Sequence, residues 1–129
     1  MLRRSVVQKL DAVPGLTGGA HQAFLAPPDA DKPYASVKLP ASRGSGVISY
    51  AGTQSVEVRI YLPEESFITL DQLEAEIILT LNGVLLTDQV DGGKYELQWV
   101  PGGGDFTDEE KSLIGRLIIF ETGIVNERS

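Results

Sequence analysis

Apolar residues recur along this chain with two periods, and each period predicts an element. Leu2, Val6, Leu10 and Val13 stand three and four residues apart, one face of a helix. Arg3, Arg4, Gln8 and Lys9 cover its other side, and Pro14-Gly15 ends it. Residues 20–25 read as a short strand, followed by a proline-rich polar connector, Pro27 to Pro33. Tyr34 to Leu39 alternates as a second strand, closed by Pro40. The strongest strand pattern is 54–62. Val56, Val58, Ile60 and Leu62 point to a core, and Glu57, Arg59 and Tyr61 point to solvent or a protein interface.

A second helix is predicted over 70–82, with Leu70, Leu73, Ile77, Ile78 and Leu81 as its apolar stripe. Thr69 and Gln72 fit a capping box, Asp71 and Glu74 stand near the positive end of the helix dipole, and Gly83 closes the helix. Strands at Val84–Val90 and Lys94–Val100 follow, joined by an Asp91-Gly92-Gly93 turn, with Tyr95, Leu97 and Trp99 on one face. Pro101 to Asp105 reads as a loop. A last strand over 111–122 places Ile114, Arg116, Ile118 and Phe120 on one face. Leu113, Gly115, Leu117, Ile119 and Glu121 share the other. Together these elements predict one α+β domain over residues 1–129. Its sheet is mostly antiparallel with four to five strands, and two helices pack on one face.

Between the strands, residues 41–53 hold three glycines and three serines around Val47, Ile48 and Tyr50, with Arg43 and no acid. This segment is expected to be a long flexible hairpin loop whose apolar residues either meet a partner or fold back on the body. The tail from about 125 to 129 is polar.

Composition then removes most chemistry. There is no cysteine, so no disulfide framework and no thiolate site. The single histidine, His21, excludes sites built on two imidazoles and has no motif beside it that would make it a catalytic base. A net charge of −7 opposes a nucleic-acid groove, which needs a cationic surface. The Gly102-Gly103-Gly104 run lacks the Gly-Lys-Ser/Thr of a phosphate loop, and Asp105, Asp108, Glu109 and Glu110 would repel phosphate. Asp29 and Asp31 have the spacing of two calcium ligands, but Lys32-Pro33 breaks the register of a calcium loop. No run of 18 apolar residues exists to span a membrane. The basic start Met1-Leu2-Arg3-Arg4 lacks the apolar stretch of a signal peptide. The chain is therefore expected to be no enzyme, to hold no cofactor or metal, and to work through its surfaces.

The order of these segments carries a resemblance over nearly the whole length. It comprises the helix Leu2–Ala12, the strand entered at Pro33-Tyr34-Ala35-Ser36-Val37, and the long loop. The strand Val56–Leu62 and the helix Leu70–Leu81 ending at Asn82-Gly83 follow. The pattern closes with Gly104-Asp105-Phe106-Thr107-Asp108 leading into Leu117-Ile118-Ile119-Phe120-Glu121. In this order the chain resembles the tail terminator (tail completion, tail-to-head joining) proteins of long-tailed bacteriophages. The resemblance implies a homo-oligomeric, usually hexameric, ring in the virion, assembled in the host cytoplasm. Its expected partners are the tail tube protein and the head connector or neck protein, with DNA passing through the lumen without specific binding and no membrane involved. Candidate interface residues are Arg43, Val47, Ile48, Tyr50, Glu57, Arg59 and Tyr61. Candidate lumen acids are Glu64, Glu65, Asp105, Asp108, Glu109 and Glu110. Another neck or head-completion adaptor, or a tail tube component, would share the pattern. A small ligand-binding α+β domain would need a pocket around His21 and convergent acids.

Overall fold

In a computed structural model, described for residues 2–16, 18–22, 33–39, 43–44, 51–63, 67–87, 94–108 and 113–125, two helices lie against one face of a twisted sheet. Element order is α1 (Leu2–Asp11), β1 (Ala20–Gln22), β2 (Tyr34–Lys38), β3 (Arg43–Gly44), β4 (Ala51–Pro63) and α2 (Phe67–Leu81). Then come β5 (Leu85–Thr87), β6 (Lys94–Glu96), β7 (Gln98–Asp108) and β8 (Leu113–Val125). The main sheet runs β1-β2-β4-β8-β7, and β3 pairs with the start of β4. Every pairing in it is antiparallel except β1 with β2. β5 and β6 form a separate antiparallel pair.

The register explains the core. Ala35 lies opposite Ile60 and Val37 opposite Val58. On the other side of β4, Val56, Val58 and Leu62 meet Phe120, Ile118 and Ile114. Opposed residues share a face, so all of these point to the helices, as the alternation predicts. Val6 and Leu10 of α1 and Leu70, Leu73, Ile77 and Leu81 of α2 bury against them in one cluster. α1 covers β1 and β2, whereas α2 covers β4, β7 and β8. Among the described residues no helix is long and apolar enough to cross a membrane.

Several boundaries depart from the periodicity. α2 begins at Phe67, so Thr69 lies inside the first turn and does not cap it. The Thr-x-x-Gln pattern has the right residue types, but helical backbone starts two residues earlier. The far end is as expected: Gly83 has φ 71°, and its N–H donates to Leu97 O at 2.7 Å. β4 starts at Ala51, three residues before the predicted strand. Its first residues pair with Arg43 and Gly44, so that end of the 41–53 segment is a hairpin ladder. Pro101 to Asp105 is not a loop. β7 continues through it, with a bulge between Val100 and Gly104.

Trp99 does not join the core with Leu97. The chain leaves the small sheet at Leu97, which is fully buried, and enters the main sheet as its edge strand. Trp99 then stands opposite Phe120, beyond the cover of α2, and keeps 43% exposure. The strand predicted over 20–25 is described only to Gln22, and the predicted turn at 91–93 lies outside the described residues.

Ile77→Asp puts an unpaired carboxylate between α2 and the sheet. It is expected to cost more than about 4 kcal/mol and abolish the cooperative thermal transition seen by circular dichroism. A variant that melts like the parent would refute the packing of α2.

Candidate functional site

The face of the sheet opposite the helices carries a row of rings. Alternation on β4 turns Glu57, Arg59 and Tyr61 to this side, half-buried. Tyr61 stacks on Tyr34 of β2 with ring centroids 4.9 Å apart. Its other edge meets Phe106 of β7 at 5.5 Å and an interplanar angle of 76°. Phe106 reaches Tyr61 across β8 because the residue between them is Gly115. A Cβ there would lie 2.2 Å from the Phe106 ring and 2.7 Å from Ile60 O. At the other end of the row, His21 meets Tyr34 edge-on at 5.9 Å. Its Nε2 donates to Gly18 O at 2.9 Å, which fixes the ring tautomer. Arg59 pairs with Glu57 of its own strand at 3.0 Å. The result is a face of mixed apolar and charged groups.

Burial holds the Tyr34 phenol above its ordinary pKa, helped by Tyr61 and the negative charge of Asp108. His21 is one end of the ring row.

On the helix side lies a second feature. Arg116 of β8 stands opposite Asp105 on β7 and points under α2. Its Nη1 donates to Glu74 Oε2 at 2.9 Å and its Nη2 to Asp71 Oδ1 at 2.7 Å, while Nε donates to Asp105. The side chain is only 12% exposed. Burial lowers its pKa, but the hydrogen bonds to Glu74, Asp71 and Asp105 outweigh that, and the guanidinium is held above its ordinary value. Asp71 and Glu74, read from sequence as dipole partners of α2, are instead the ligands of this arginine. No periodicity argument could have found the cluster, because it joins positions more than forty residues apart. Beside it a cleft of about 320 Å³ is lined by Glu74, Asp105, Arg116, Trp99 and the backbone of the β7 bulge.

Of the residues singled out by sequence, Glu57, Arg59 and Tyr61 share the open face. Asp105 faces α2 and Asp108 falls on the opposite face, three residues along the same strand. The backbone of Arg43 pairs with Thr53, and its side chain lies outside the described residues, as do Val47, Ile48, Tyr50, Glu64, Glu65, Glu109 and Glu110. Among the described residues no group of three His, Asp or Glu side chains is placed to hold a metal ion.

No family model matches the chain, and no curated protein matches it. A solved structure does, titled the virion of native gene transfer agent (GTA) particle. The chain shares its fold with a component of that virion. Alignment to it covers 97% of this chain and 95% of the other, with a TM-score of 0.69 at 16% sequence identity.

Three outcomes test this geometry. Glu74→Gln is expected to destabilise more than Asp71→Asn in urea unfolding, because the Asp71 carboxylate is 66% exposed and its pairing is screened. Arg116→Ala, which leaves Glu74 unpaired, should cost about 2–4 kcal/mol. Tyr34 titrates higher folded than unfolded. Its contribution is therefore complete below about pH 10 and lost as pH rises through the folded value. The melting temperature should fall above about pH 10, and Tyr34→Phe should flatten that fall.

Proposed function

We propose that this chain is a phage tail terminator: a subunit that closes into a ring, commonly of six copies, at the head-proximal end of a tail tube. There it ends tube polymerisation and presents a surface to the head connector. The observation that carries the reading is the near end-to-end correspondence of this fold with a chain of a virion, in both directions of the alignment. The order of helix, hairpin, long central strand, helix and closing meander supports it further.

The work is geometric. A ring needs two different faces on each subunit that fit each other and a rotation that closes. The open sheet face with Glu57, Arg59 and Tyr61 supplies one mixed surface, and the segment of Arg43, Val47, Ile48 and Tyr50, which leads into β4 in the chain, is the proposed docking arm. DNA crosses the lumen without sticking where carboxylates line the wall. Pro63 and Asp108 both stand beside Leu113 at one end of the sheet, and Glu64, Glu65, Glu109 and Glu110 follow them directly in the chain. Asp105, Asp108 and these four are the acids proposed for that wall. Asp105 is engaged with Arg116. The protein acts in the virion, after assembly in the host cytoplasm, and makes or breaks no covalent bond.

Deleting the gene in its parent phage or prophage should yield overlong tails and heads without tails in electron micrographs of lysates. Tails of normal length, joined to heads, would refute the reading. Shortening residues 43–52 to a tight turn should leave the subunit folded and reduce joining. Undiminished joining would make the hairpin a mere connector.

A further inference from the structure

We infer that the acidic cleft between α2 and β7 of one copy receives a cationic side chain of α1 from the next, so that copies join head to tail. The inference rests on the ring reading above and names the surfaces that would form its seam.

Position comes first. The sheet ends at β1 on one side and at β7 on the other. α1 lies over β1 and β2, and α2 reaches over β8 and β7. The two helices pack side by side, α1 toward the β1 edge and α2 toward the β7 edge, so the outer sides of the pair are the two unlike surfaces a closed ring needs.

Charge comes second. α1 carries Arg3, Arg4 and Lys9, with Asp11 as its one acid. α2 has no basic residue, and it turns Asp71 and Glu74 toward the cleft, while Glu76 lies on its other side near Gly15. At the cleft, three carboxylates surround the single guanidinium of Arg116, which leaves an excess of negative charge. Two α2 flanks would repel each other, and so would two α1 flanks. Only the unlike pairing is attractive.

Shape comes third. The cleft is lined by Trp99 and by the bulge residues Pro101 to Gly104. An arginine or lysine entering it would meet the face of an indole as well as the carboxylates, an arrangement suited to a long cationic side chain. Leu79 is 82% exposed on the outward side of α2, and apolar contact there would accompany the charge pairing.

Charge exchange tests the pairing. One variant carries Arg3→Glu and Lys9→Glu; the other carries Asp71→Lys and Asp105→Lys. Self-association is followed by sedimentation velocity and native mass spectrometry, and folding by circular dichroism. Each variant alone is expected to associate about tenfold more weakly than the parent, or worse. An equal mixture should regain association, because acidic α1 then meets basic α2 in alternating order. Trp99→Ala should weaken assembly without unfolding the chain, and decides with the α1 variant if the cleft variant does not fold.

A parent chain that assembles while the α1 variant assembles equally well overturns this contact and leaves the ring reading standing. An α1 variant that assembles normally but fails to join tails gives the basic helix to another assembly protein and likewise overturns it. A parent chain that stays monomeric at its highest soluble concentration overturns this contact, while the ring reading stands or falls on the tails of the deletion strain.

Discussion

Antiparallel pairing between β4 and β8, thirteen residues long on each strand, determines which side chains can meet. Its register places Val56, Val58 and Leu62 beside Phe120, Ile118 and Ile114, so the helices have one continuous apolar floor to pack on. A slip of one residue would turn that whole set to the opposite face. The same register places Arg116 on the helix side and Gly115 on the open side. The ionic cluster and the ring row are therefore consequences of one pairing, displayed on its two faces.

Arg116 is the position where this arrangement carries risk. A guanidinium beneath a helix is costly unless its donors are engaged. Three carboxylates from two elements engage them, and α2 is thereby tied to β7 and β8 by charge as well as by Leu70 and Ile77. Glu74 is the most shielded of the three carboxylates, with 28% side-chain exposure, and so contributes most to that tie.

Local pattern was a good guide wherever a face alternates against the core. The β4 residues 56, 58, 60 and 62 and the α2 stripe are buried as their spacing requires. Its failures have a common physical origin. Glycine and proline in Pro101-Gly102-Gly103-Gly104 ordinarily punctuate a chain, yet here β8 supplies a neighbour that carries the strand through with a bulge. Thr69 offered capping chemistry at a position the helix had already passed. The ring row was legible in part: Tyr61 was placed on the open face, but its contacts with Tyr34 and Phe106 come from three strands and from the missing side chain of Gly115. The Arg116 cluster was not legible, since its partners are distant in sequence and each looks like ordinary surface charge alone.

The bulge in β7 also bears on what the chain avoids. A straight edge of eleven residues would offer an unbroken row of amide and carbonyl groups to any extended polypeptide, the usual seed of fibrils. Pro101 removes one donor from that row, and the register jump before Gly104 divides the remainder into two short stretches. The edge of β7 is therefore a poorer template for cross-β pairing than an unbroken strand of its length.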